Sequence, residues 1–85
     1  MEDITSEQDA HTTSFGDQAV GRSFNPSGNL EVDNLKKKAA LFIDDCHAIR
    51  SRSDADPEVK RMMSIAITEA QTAQMWAVKA ATWSS

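Results

Sequence analysis

Residues 32–49 read VDNLKKKAALFIDDCHAI. Within them Val32, Leu35, Ala39, Phe42, Cys46 and Ile49 recur three and four positions apart, the period of a helix seam packed against a second helix. Asn29 or Ser27 can cap the start of this helix, with Glu31 and Asp33 in the first turn, where negative charge suits the helix dipole. Arg50 and Arg52 stand near the far end, where positive charge belongs. The next stretch, SRSDADP (residues 51–57), reads as a turn in which Asp56 caps a second helix and Pro57 is its first residue.

That second helix carries a seam of its own at Val59, Met63, Ala66, Ala70, Ala73, Ala77 and Ala80. Repeated alanine permits a close helix approach, so the two seams predict an antiparallel helical hairpin and an all-α fold. Met62, Trp76 and Trp83 nevertheless mark another edge at seven-residue multiples, interrupted by Glu69, and Ile65, Ile67 and Val78 spread apolar surface further round. A helix apolar on most sides must be covered on most sides. One partner helix cannot do that, and the pattern predicts a homo-oligomer of hairpins; the rival is a monomer with scattered surface hydrophobes.

Outward from the hairpin, residues 1–23 read as a polar, partly flexible N-terminal arm, whose large apolar side chains are Ile4, Phe15 and Val20. The folded part, residues 24–85, is then 62 residues long, a size at which a monomer buries too little surface to be more than marginally stable. The net charge of −4 resides in the arm, while the remainder carries eight acids and eight bases. An anionic ligand is therefore compatible with the folded part, and no basic block suggests polymeric nucleic acid. A single cysteine, Cys46, fits a reducing compartment. No apolar run of membrane-spanning length and no leader pattern is visible, so no membrane is expected and the cytoplasm is.

The inventory of chemistry is short. Cys46 and His47 are neighbours, which on a helix point about 100° apart, and Cys46 falls on the seam as a small packing residue. His11 and His47 lack metal-ligand spacing, Asp44 and Asp45 read as solvated, and no nucleophile–base pair or phosphate loop occurs. Neither catalysis nor a metal nor a cofactor is expected.

The stretch SFNPSGN (residues 23–29) is more informative when set beside the run Lys36–Lys38. With Leu35 and Ala39 facing inward, Lys36 and Lys38 flank the packed edge and Lys37 points away. Free backbone N–H groups at a helix start attract anions, and a flanking lysine can reach one held there. Phe24 offers a flat surface for a base, Pro26 stiffens the approach, Gly28 allows close backbone approach, and Asn25 and Ser27 offer polar contacts. The same residues also make an ordinary helix cap and turn; composition leaves both readings open.

Two longer stretches, AVGRSFNPSGNLEVDNLKKKAALFIDD (residues 19–45) and SIAITEAQTAQMWAVKAATW (residues 64–83), resemble the phage anti-CBASS protein 2 family. The second is also similar to the helical-hairpin region of phage proteins that counter Thoeris defence. The resemblance runs from about Phe15 to Trp83. It implies a homohexamer of helical hairpins, in the cytoplasm of the infected bacterium, that sequesters cyclic oligonucleotides without cleaving them. The implied ligands are cyclic dinucleotides such as 3',3'-cGAMP in pockets between protomers, with cyclic trinucleotides at separate sites. In the dinucleotide pocket an aromatic before the first long helix stacks on a base and a lysine in that helix meets phosphate. Phe24 and Lys36 match, with Asn25, Pro26, Ser27 and Gly28 as the wall between them. The family's usual tyrosine is phenylalanine here, which keeps the stack and loses the hydroxyl. Thr68 alone transfers to the trinucleotide site, and Lys79 matches a basic position of unassigned role. Two alternatives accompany this reading: a sponge for ADP-ribose-type Thoeris signals, and a helical adaptor that docks a protein and binds no nucleotide.

Overall fold

A computed structural model describes residues 13–25 and 28–84. It contains α1 (Phe15–Val20), α2 (Leu30–Arg50) and α3 (Pro57–Ala81), and no strand among the described residues. The start of α2 follows from Asn29, whose side chain accepts from the backbone N–H groups of Glu31 (2.8 Å) and Val32 (3.1 Å). Asp56 and Pro57 begin α3 as their residue types predict, although the Asp56 side chain makes no capping bond. Arg50, in the last turn of α2, donates to the Ser64 hydroxyl near the start of α3 (3.0 Å). At the other end, Glu31 and Leu35 share a groove with Ala80 and Ala81. The long helices are therefore an antiparallel hairpin.

The hairpin closes on a face turned part-way from the one the spacing predicts: Val32 and Cys46 of the α2 seam are buried, and Met63, Ala66 and Ala70 of the α3 seam pack against the core. Ile43 is fully buried, and Val20, Ala40, Cys46 and Ile67 complete the core around it. Phe42, placed on the α2 seam by its spacing, is exposed, and Leu35, Ala39 and Ile49 are only half-buried. On α3, Ala73 and Ala80 are exposed, whereas Ile67 and Gln74 are buried. The reason lies before residue 24. Residues 15–20, read as part of an arm, form a helix that packs across α2 and turns its buried side.

Helix α1 is stopped at both ends by local chemistry. The Ser14 hydroxyl accepts from the Asp17 N–H (2.9 Å) while the Asp17 carboxylate accepts from the Ser14 N–H (3.1 Å), a capping box. Gly21 ends the helix in the left-handed region, φ 65°, where a Cβ is disfavoured. The crossing with α2 is close enough that a Cβ on Gly16 would collide with the Ala40 carbonyl. Asp44, expected in solvent, instead accepts from the Gly16 N–H at 2.7 Å, which sets a carboxylate against the α1 N-terminus. Phe15 stacks on His47 with centroids 4.2 Å apart, and Gln71 of α3 donates to the Ala19 carbonyl. The folded unit thus begins ahead of Phe24.

Candidate functional site

The loop between α1 and α2 is closed by side chains that fold back onto it. Asn25 donates to the Asn29 carbonyl (2.9 Å) and accepts from the Asn29 N–H (3.1 Å), so both ends of its amide are spent within the loop. Gly28 has φ 61°, and a Cβ there would meet nothing within 4 Å. Glycine is required at this position by the backbone, and its outer side is open. Pro26 and Ser27 lie outside the described residues.

Lys36 stands where the spacing argument did not put it. It is buried at 6 % exposure, on the packed side of α2, while Lys37 and Lys38 are exposed. Its ammonium donates to the carbonyls of Gly21 (2.9 Å) and Phe24 (2.5 Å), pinning the loop to the helix. An ammonium has three donors, so one remains after these two bonds. Among the described residues Lys36 forms no ion pair. The Phe24 ring lies with its centroid 5.4 Å from Nζ and is 70 % exposed. An outward-facing aromatic surface and a positive charge without a carboxylate are therefore side by side.

The free N–H groups expected at the α2 start are largely consumed, since the Asn29 cap takes those of Glu31 and Val32. Anion attraction in this region falls to Lys36. A groove of about 530 Å³, walled by Thr13, Gln18, Gly21, Arg22 and Ser23 among others, adjoins the loop. Arg22 there is already held by Asp17 (3.2 Å) and Asp33 (3.4 Å).

The chain matches the family model described as the Acb2/Tad1 hairpin domain over residues 17–82. The chain belongs to the Acb2/Tad1 hairpin family. Membership points to phage anti-defence by sponging small signalling nucleotides. The match begins inside α1, so the short helix is part of the Acb2/Tad1 hairpin as it occurs here. No curated protein and no solved structure matches the chain.

Within this Acb2/Tad1 hairpin, Phe24, Asn25, Gly28 and Lys36 fall in one region of a single chain. Thr68 does not join them: it lies exposed on α3, where its carbonyl accepts from the Thr72 hydroxyl one turn later (3.2 Å). Lys79 sits over the Trp76 ring at 5.7 Å. Cys46 is a packing residue, and burial, with Asp45 nearby, pushes its thiol up despite the opposing charge of Arg50. Among the described residues no group of three His, Cys, Asp or Glu side chains could hold a metal, and no helix is long and apolar enough to cross a membrane. Residue-by-residue reading missed the two carbonyls that hold Lys36. The pattern Ser14–x–x–Asp17 with Gly21 after it was the available signal for α1, and with α1 in place the loop over Lys36 follows.

Proposed function

We propose that this hairpin binds cyclic dinucleotides, of the 3',3'-cGAMP type, and withholds them uncleaved from the effector of cyclic-oligonucleotide-based anti-phage signalling. The single arrangement that supports the reading is the Phe24–Lys36 pair. A base stacks on the exposed Phe24 ring, and the phosphate meets the charge and the remaining donor of Lys36. Asn25, Pro26, Ser27 and Gly28 are the proposed rim. The Asn25–Asn29 bonds fix Asn25 in advance, which reduces the ordering cost of binding.

One chain offers the ligand a surface rather than an enclosure, because Phe24 faces outward. The proposed pocket is completed by a second copy, within an assembly of six hairpins acting in the infected bacterium. Thr68, remote from the loop in its own chain, belongs to a separate site for cyclic trinucleotides. Sequestration asks for no nucleophile or metal. Binding at an interface stabilises the assembly by mass action.

A second reading has the matched family's own span in its favour, since the hairpin domain is shared between Acb2 and Tad1: the ligand is then an ADP-ribose-type Thoeris signal. Titration calorimetry with cyclic di- and trinucleotides and cyclic ADP-ribose isomers separates the two. The protein is denatured afterwards and the ligand recovered. Heat with a cyclic dinucleotide and recovery of intact ligand are expected. Recovered cleavage products would replace the sponge with a nuclease, and heat only with ADP-ribose isomers would select the second reading. Silence across the panel would leave the helical adaptor.

A further inference from the structure

The turn that carries Phe24 is held by two cations. Lys36 holds it through the Gly21 and Phe24 carbonyls, and the Gly21 carbonyl also accepts from the Phe24 N–H at 2.9 Å. Arg22 is the second. Its backbone N–H donates to the Asp17 carbonyl (2.9 Å) and closes the end of α1. Its guanidinium then returns to the Asp17 carboxylate (3.2 Å) and reaches on to Asp33 in the first turn of α2 (3.4 Å). Among the described residues of the loop, no other side chain bonds to both helices. The brace also runs to the start of α1, because the other oxygen of Asp17 accepts from the Ser14 N–H. A helix of six residues cannot hold its own shape, so the turn that leaves it needs such an anchor.

Arg22 is placed to hold the turn and not the ligand. One guanidinium faces two carboxylates, and the excess negative charge repels a phosphate. Its Nε is buried without a partner among the described residues, an unmade bond that the two carboxylates offset. We propose that Arg22 is the positioning residue of the Phe24–Lys36 pair: bridging Asp17 of α1 and Asp33 of α2, it holds the Gly21–Phe24 turn in the shape that gives both carbonyls to the ammonium and leaves the ring facing outward. This inference rests on the nucleotide reading of that pair. With the turn fixed before the ligand arrives, the stacking ring need not be ordered on binding. Partly exposed ion pairs add little to stability, so the effect falls on binding more than on folding.

Calorimetric titration with 3',3'-cGAMP of four forms of the full chain tests it: wild type, Arg22→Gln, Phe24→Ala and the double variant. Arg22→Gln is expected to weaken affinity about 3- to 10-fold in the wild-type background. Where Phe24 is already Ala the loss should be less than about 2-fold, since a positioning residue acts only through the group it positions. Asp33→Asn, which cuts the brace at α2 and leaves the α1 capping box intact, should behave like Arg22→Gln. Hydrogen exchange of the ligand-free proteins reads the brace itself: the Phe24 amide should exchange faster in both variants while that of Ile43 is unchanged. Equal losses with and without the Phe24 ring overturn the proposal. So do unchanged affinity, an unchanged Phe24 amide, or faster exchange that extends to Ile43. A wild-type chain that gives no heat with 3',3'-cGAMP fails the nucleotide reading itself, and the proposal with it.

Discussion

Along its inward side α2 sets Lys36, Asp44 and Arg50 around Ile43, and each of these polar groups is bonded to a partner within the chain, Lys36 keeping one donor in reserve. Along its outward side α3 sets Met62, Ile65, Trp76 and Trp83, all exposed. The contrast teaches which residues fold the chain and which are left for something else. Polar side chains knit three helices together around a small core, because a chain of this size has few large apolar residues to bury. Much of its apolar surface faces outward. Phe24 belongs with that outward set, yet it sits on the one buried ammonium of the inward set. The candidate site is where the two materials meet.

The sharpest way to break this contrast is to truncate neighbouring residues on opposite sides of it. Ile43→Ala removes the fully buried side chain and should cost about 2–5 kcal/mol in thermal or denaturant unfolding. Phe42→Ala, one position away and exposed, should change the stability of the dissociated chain by less than about 1 kcal/mol. Equal losses would return the seam to the face that its spacing predicts. A somewhat smaller effect is expected at the α1 crossing. Gly16→Ala drives a methyl into the Ala40 carbonyl and the Asp44 carboxylate oxygen, and should cost about 1–3 kcal/mol as α1 lifts away. An unchanged melting temperature would mean that α1 contributes little to the fold.

The parts of the fold written in adjacent residues were legible. Asn29 before the helix, Pro57 after Asp56, and acidic first turns each act over a few positions. The direction of the α2 seam was not, because it depends on a second packing partner far upstream in sequence, Gly16 meeting Asp44 across 28 positions. With α1 absent from the reading, Leu35 and Phe42 completed the three-and-four spacing, in which Ile43 had no place. Lys36 shows the same limit at the site. Its proximity to Phe24 was legible, but its burial was not, since two backbone carbonyls from a loop satisfy it and carbonyls leave no mark in composition. Asn25 and the helix start changed role for a related reason: each was available to a ligand until a local bond consumed it.

The two lysines give a finer comparison. Lys36→Ala strips the donor from two loop carbonyls, which should lower stability by about 1–3 kcal/mol as well as weaken nucleotide binding, the latter more at low salt than at high. Lys37→Ala, on the exposed side, should leave stability within about 0.5 kcal/mol and binding unchanged. Matching losses from both would detach Lys36 from the pocket.

The central claim is that Phe24 presents a stacking surface to a cyclic nucleotide without being needed for the fold. Titrating wild-type and Phe24→Ala protein with the same cyclic dinucleotide tests it most directly. The expected result is an unchanged melting temperature for the free variant and an affinity weakened about 5- to 150-fold, the loss of one base stack worth about 1–3 kcal/mol. Equal affinity for the two proteins would contradict the claim.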